Sequence, residues 1–307
     1  MKDALVVVNP AAAGGRTGRS WPRVAALLRL GGLDFDSALT TAPGEATVLA
    51  REAVRNGSPL VVAAGGDGTI HEVVNGFFED GEPVRGRCRL GVLPLGTGGD
   101  FRRTFEIPTD VVRAAAVLLS GRTRRIDAGR VTYRRPDGSE GQSVYCNTAD
   151  AGLPGEVVHR VHRGVRVGSG ELTFMVASAL SLLSWHNQRL RIEADGDSWE
   201  VTAQQAVVAN CRYYGGGMCI APDAEPDDGL LDLVVVGDLH RLGNVRLIGP
   251  LRAGTHLTRG LPITHRRVRR VVVESDAEVR VDVDGELPGR LPATFEVLPS
   301  SLELVVP

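Results

Sequence analysis

The sequence predicts an α/β protein: a parallel-sheet domain followed by a second, antiparallel β-sandwich domain. Two observations carry this. Four strand-then-helix alternations fill roughly the first 120 residues, and each apolar run ends in a loop of small residues. Such alternation folds as a parallel sheet with right-handed crossovers. From Arg125 onward the chain turns to short alternating runs broken by Asp137-Gly138, Asp195-Gly196 and Asp284-Gly285, which are turn signals between antiparallel strands. No low-complexity linker separates the regions, so two packed domains with a cleft between them, divided near residue 125, are expected.

The elements follow in order. Ala4-Leu5-Val6-Val7-Val8 is continuously apolar, as a strand buried on both faces must be. A small-residue loop, Asn9 to Gly18, leads to a helix that Ser20 can cap and Gly31-Gly32 stops. Phe35 to Thr40 is the second strand, and a helix bearing Ala46, Leu49, Ala53 and Val54 follows it. Val61 to Ala64 runs into Gly65-Gly66-Asp67-Gly68-Thr69, with a helical pattern from Thr69. Leu90 to Pro94 is the fourth strand and ends in Gly96-Thr97-Gly98-Gly99-Asp100; Thr109 caps a helix that Gly121 ends. Ligands of such sheets sit at the carboxyl ends of the strands, where all four loops lie.

The second region offers strands at Ser143–Thr148, Arg189–Ala194, Trp199–Ala203, Gln205–Asn210, Leu230–Val236, Val268–Val273 and Val279–Val283. A helix over Glu171–Ser184 carries Leu172, Met175, Val176, Ala179, Leu182 and Leu183 on a broad apolar stripe. Core packing is its first reading, and a membrane-facing lid the second. Arg160, Arg163 and Arg166 before it read as a solvated face, or more sharply as a contact for anionic lipid.

Composition excludes several chemistries. A net charge of −2 gives no support to nucleic-acid binding. The four cysteines form no CxxC pair, so reduced thiols in a cytoplasmic protein are expected. The longest apolar helical run, Leu172 to Trp185, is too short to span a bilayer. Lys2 is the only lysine, so Walker A, protein-kinase and Schiff-base lysines are absent. Phosphate must be handled by backbone N–H groups, Arg, Thr and metal. The glycine turn supplies the first: a strand feeding a glycine-rich turn and a helix N-terminus is an anion cradle. Asp67 would repel phosphate there unless it held a cation or a proton, which implies Mg²⁺.

Gly65 to Asn75, together with Gly215-Gly216-Gly217, Ala221-Pro222-Asp223-Ala224, Asp227-Asp228-Gly229-Leu230-Leu231-Asp232 and Asp284-Gly285-Glu286, resembles the diacylglycerol kinase catalytic-domain family. That family includes bacterial lipid kinases and is related to sphingosine kinases. The likeness covers nearly the whole chain. It implies ATP- and Mg²⁺-dependent transfer of a γ-phosphoryl group to a lipid hydroxyl, diacylglycerol first, in phospholipid biosynthesis. It further implies that 293–307 returns to the first domain (1–125), leaving 126–292 as the lipid-substrate domain. ATP would meet Asn9, Thr41, Gly66, Asp67, Gly68, Thr69, Ile70, His71, Glu72 and Thr97. Metal would involve Asp100, and a structural Mg²⁺ would lie on Asp228 with the carbonyls of Glu225 and Leu230. The base would be Glu286, with Asp284 orienting it or sharing the role; the sphingosine-kinase likeness favours Asp67 instead.

The family pattern Gly-Thr-x-Asn-Asp is altered here, Gly99 standing in place of the asparagine. The expected setting is cytoplasmic and peripheral to a membrane that presents the lipid, with no nucleic acid and with a homodimer as the assembly allowed. The competing readings are a NAD kinase-like enzyme and a non-catalytic nucleotide- or lipid-binding protein on a kinase scaffold.

Overall fold

Apolar runs without alternation become the buried strands of the first unit. The computed structural model describes residues 2–164, 170–239 and 241–307. The chain divides into Met1–Ile126 with Ser300–Pro307, and Asp127–Pro299. The returning segment thus begins at Ser300 rather than at 293.

The first unit runs β1 (Ala4–Val8), α1 (Ala12–Leu30), β2 (Phe35–Leu39), α2 (Glu45–Arg55), β3 (Leu60–Gly65) and α3 (Asp67–Gly76). A short antiparallel pair, β4 (Phe78–Glu79) and β5 (Glu82–Pro83), precedes β6 (Arg89–Pro94), α4 (Asp100–Thr104) and α5 (Val111–Ser120). β1 pairs in parallel with β2 and β3, and β3 pairs in parallel with β6. Every residue of β3 is buried, which its all-apolar sequence requires. Val8, Leu28, Val62, Leu93, Leu118 and Val305 share one core cluster.

Helix starts differ from expectation in three places. α1 begins at Ala12, but Ala13, Gly14 and Gly15 are left-handed before the regular helix resumes. Ser20 is therefore inside it, and its hydroxyl donates to the Thr17 carbonyl (3.1 Å). α3 begins at Asp67, not Thr69. α5 is capped by Asp110, whose carboxylate accepts the Arg113 N–H at 2.9 Å, and not by Thr109.

Beyond α5 the chain alternates apolar and polar residues. It forms β7 (Thr123–Arg134), β8 (Glu140–Tyr145), β9 (Thr148–Gly152), α6 (Leu153–His162), α7 (Gly170–Ser184), β10 (Gln188–Ala194) and β11 (Asp197–Ala209). The two-residue strands β12 (Tyr213–Tyr214) and β13 (Met218–Cys219) follow. Then come β14 (Leu231–Gly237), α8 (Arg241–Ala253), β15 (Ile263–Val268), β16 (Arg270–Ser275), β17 (Arg280–Val283) and β18 (Glu286–Val305). The order β15-β14-β11-β10-β16-β18 is antiparallel, and β9 pairs with β11 and β17.

Tyr145, Ile192, Leu233, Val273 and Phe295 centre the core of this β-rich unit. β18 pairs antiparallel with β16, while its Glu303 and Leu304 pair in parallel with β6. The strands are therefore not confined to a parallel sheet, and the sheet is mixed. The side chains of Leu172 and Met175, and Arg166, lie outside the described residues. No helix among the described residues is long and apolar enough to cross a membrane.

Buried Asn210 closes the second unit. Its side-chain amide donates to the carbonyls of Asp127 and Cys146, both at 3.0 Å. Asn210→Ala removes both bonds, the Cys146 carbonyl keeping the Cys211 thiol at 3.2 Å, and should cost about 0.5–1.5 kcal/mol for each bond lost. Chemical denaturation should show a lowered midpoint with an unchanged slope.

Candidate functional site

The turn after β3 is held by its own aspartate. Asp67 Oδ2 accepts the N–H of Gly99 at 2.6 Å and of Asp100 at 3.2 Å. The carboxyl-end turns of β3 and β6 are thereby clamped together. Gly65 O accepts the N–H groups of Leu95 and Gly96, each at 2.9 Å. The backbones approach so closely that a Cβ on Gly96 would run into the Cα of Gly66. A Cβ on Gly98 would lie 2.6 Å from Asp67 Oδ2. These glycines are demanded by space rather than by flexibility.

Gly99 has φ +78° and caps α4. A side chain there would meet the Arg102 Nε at 2.7 Å, because Arg102 folds back over the turn. The altered residue and Arg102 are matched: the glycine keeps the N–H that Asp67 needs and yields the space of an asparagine side chain to a guanidinium. Gly66, Asp67, Thr97, Gly99, Arg102 and Arg103 line one pocket of the first unit. Burial and the adjacent Arg103 charge pull the Arg102 guanidinium below its ordinary pKa, against the pull of Asp67 and Asp100. Arg103 lies 3.8 Å from the buried Asp100 carboxylate. An anion between the two guanidinium groups would relieve their repulsion.

The other predicted nucleotide residues divide by what their side chains already do. Asn9 donates to the Thr69 hydroxyl at 3.2 Å, tying the first loop to the start of α3, and Asn9 Oδ1 accepts the Ala11 N–H. Thr69 and Ile70 are buried, whereas Gly68 is exposed. The Thr41 hydroxyl donates to Glu45 (2.9 Å), which also takes the Thr41 and Ala42 N–H groups. These bonds hold the Glu45 carboxyl below its usual pKa. Glu72 accepts the Ala46 N–H at 3.1 Å, so its carboxylate caps α2. The His71 ring lies against Asn75 one helical turn away.

In the second unit, the turn between β17 and β18 separates its two carboxylates by role. Asp284, at φ +52°, accepts the N–H groups of Cys146, Asn147 and Thr148 at 3.1, 3.1 and 2.9 Å. Its oxygens anchor the turn, and its negative charge adds to burial in raising the Tyr145 phenol well above its usual range. Glu286 is exposed at the head of β18, and its carboxylate makes no hydrogen bond or ion pair with a described residue.

The expected metal positions fare differently. Asp67 Oδ1 is buried with no hydrogen-bond partner among the described residues. It is an open carboxylate position that fits a cation. At the Glu225, Asp228 and Leu230 set a guanidinium approaches the carboxylate. Asp228 Oδ1 accepts the Leu230 N–H at 2.9 Å, while Oδ2 lies against the Arg267 guanidinium and, like Asp67 Oδ1, is buried without a hydrogen-bond partner among the described residues. The Glu225 carbonyl faces the Asp228 N–H at 3.3 Å. Among the described residues no three His, Cys, Asp or Glu side chains converge as a metal group.

Residues 3–131 match the diacylglycerol kinase catalytic domain, and residues 147–306 match the YegS C-terminal NAD kinase beta sandwich-like domain. A diacylglycerol kinase of Bacillus subtilis is 30% identical, the alignment covering 100% of this chain and 97% of that one. One from Staphylococcus carnosus is 27% identical over 100% of this chain and 95% of its own. A crystal structure of a diacylglycerol kinase from Bacillus anthracis has a TM-score of 0.72 at 22% identity, covering 100% of this chain and 97% of that one. Yeast NADH kinase complexed with NADH has a TM-score of 0.57 at 14% identity, over 100% and 84% of the two chains.

The Asp228 geometry makes a prediction. Asp228→Ala leaves Arg267 and the Leu230 N–H unpaired and should lower stability by about 1 kcal/mol. With Arg267 as the cation of this loop, the loss of melting temperature should be equal in millimolar Mg²⁺ and in chelator. A loss seen only with Mg²⁺ would restore a metal to this loop.

Proposed function

Because this chain belongs to the diacylglycerol kinase family and is a lipid kinase, we propose that it transfers the γ-phosphoryl group of ATP to the hydroxyl of diacylglycerol. The observation that carries this is the first-unit pocket, where two clamped glycine turns, the α3 N-terminus and two arginines surround one open carboxylate oxygen. Helix N-termini and glycine turns present N–H groups to phosphate, and arginine supplies charge without a lysine. When bound at Asp67 Oδ1, with Asp100 beside it, Mg²⁺ would neutralise polyphosphate charge.

In the transfer step the lipid oxygen forms a bond to the γ-phosphorus, the bond to the β–γ bridging oxygen breaks, and ADP departs. The hydroxyl proton goes to Glu286, exposed and unengaged, and Asp284 positions the turn that carries it. The lipid is presented at a membrane surface that the chain meets peripherally. Phosphorylation of a nicotinamide dinucleotide is the second reading, favoured by the likeness of fold to the yeast NADH kinase. Incubation with labelled ATP, Mg²⁺, a lipid panel and NAD separates the readings by where the label appears. Binding of ATP without transfer would mark a non-catalytic scaffold.

Two substitutions test the roles. Asp67→Asn keeps an oxygen for Gly99 and Asp100 but removes the charge, so transfer should be abolished while the melting curve stays near wild type. Turnover like wild type would sink the assignment. Glu286→Gln, nearly isosteric, should lower kcat by about 10²–10⁴-fold with little change in ATP affinity. An unchanged kcat at saturating lipid would hand the role to Asp67.

A further inference from the structure

Of the two arginines that line the first-unit pocket, one is engaged and one is not. Arg103 is exposed and stands 3.8 Å from the buried Asp100 carboxylate. Arg102 is half-buried and makes no hydrogen bond or ion pair with a described residue. It shares the pocket with Gly66, Asp67, Thr97 and Gly98.

The turn beside it sets where Arg102 lies. Gly99 is left-handed at φ +78°, and a Cβ there would lie 2.7 Å from the Arg102 Nε and 3.2 Å from its Cδ and Cγ. The length of the side chain is therefore laid against the turn, with the guanidinium at its end. The N–H of the same glycine goes to Asp67 Oδ2 at 2.6 Å, and Asp67 Oδ1 stays open. One pocket thus joins an open carboxylate oxygen to an open guanidinium, a position for a cation beside a position for an anion. A phosphoryl group with its metal ion needs that donor set.

The charge distribution of the reaction says which phosphoryl group. In phosphoryl transfer the β- and γ-oxygens share the metal ion, and charge spreads over the equatorial oxygens of the transferring group. A guanidinium fork matches two oxygens of one phosphoryl group and keeps its proton throughout. We propose that Arg102 binds the γ-phosphoryl group of ATP, donating to its non-bridging oxygens in the bound nucleotide and through transfer. No bond to Arg102 forms or breaks while phosphorus passes from the β–γ bridging oxygen to the acceptor oxygen. Half-burial and the Arg103 charge disfavour the free guanidinium, lowering its pKa against the attraction of Asp67 and Asp100. A bound phosphoryl group reverses that cost. The proposal rests on the reading of ATP as the donor at this pocket and is independent of the acceptor.

Affinities of the full chain for ATP and ADP, measured by titration calorimetry in Mg²⁺, test the contact without any acceptor. Arg102→Ala removes a charge-assisted contact to the γ-phosphoryl group. ATP should then bind about 10–100-fold more weakly, with ADP affinity unchanged. Equal losses for ATP and ADP, or no loss for either, would overturn the γ contact. Arg102→Lys keeps the charge without the fork, so its ATP affinity should fall between those of Arg102→Ala and wild type.

Turnover reads the second half. In Arg102→Ala kcat should fall by about 10²–10³-fold at saturating ATP and lipid, with the melting curve near wild type. An unchanged kcat there would overturn the role in transfer. The contact and the kinase reading fail separately. A wild-type chain that prefers ATP to ADP but labels neither lipid nor NAD would overturn the kinase reading and leave the γ contact standing. A wild type that labels lipid yet binds ATP and ADP equally would overturn the γ contact alone.

Discussion

The bond from Asp67 Oδ2 to the Gly99 and Asp100 N–H groups is the contact on which the candidate phosphate site depends. It joins two turns that belong to neighbouring parallel strands and are separated by some thirty residues of chain. The bond is short and charge-assisted, and such bonds are roughly twice as strong as neutral ones. Using one oxygen this way fixes where the other points. The unpartnered Oδ1 is thus a consequence of the clamp. The close approach of Gly96 to Gly66 then follows, since any Cβ at Gly96 would wedge the turns apart.

The first unit was legible because its signals are redundant. Strands buried on both faces are continuously apolar, and each ends in glycine, proline or asparagine. Caps were less legible, because adjacent residues compete: Thr109 and Asp110 can both cap, and Asp110 does so by backbone direction alone. In the second unit, two predicted strands are one strand, β11, with its register shifted between Ala203 and Gln205. A bulge keeps pairing continuous while it breaks the alternation that marks a strand in sequence. α8 escaped notice because Gly243, Gly249 and Pro250 lower its propensity; Leu247 and Leu251 hold it against Ile220 and Val234. Tertiary packing supplies what local sequence does not.

The candidate site shows a sharper limit. A carboxylate in a motif reads the same whether it caps a helix or meets a ligand. Glu72 lies within the glycine-turn motif, yet its carboxylate closes the N-terminus of α2, and Glu45 at the head of that helix takes the Thr41 and Ala42 N–H groups of the loop before it. Asp284 and Glu286 sit one glycine apart, and only three backbone N–H groups from the β8–β9 connection tell anchor from free acid. Asp228 is the same case with a different partner, Arg267 coming from a strand far along the chain. Spacing can nominate such residues, but the donors that occupy their lone pairs come from elsewhere in the fold.

The near-absence of lysine ties these points together. Lys2 is held at the surface by Asp36 at 3.1 Å and Asp34 at 3.6 Å, so it supplies no charge to the glycine turns. The cations beside those turns are Arg102 and Arg103, both on α4, which begins at the residue Asp67 clamps. A guanidinium is planar and delocalised and needs room to lie along a turn. Gly99 provides that room, and an asparagine side chain would occupy it. A Cβ at Gly99 would lie 2.7 Å from the Arg102 Nε, so glycine there leaves the guanidinium its place beside the turn. The backbone amide is kept for Asp67, and the side-chain amide gives way to a charge.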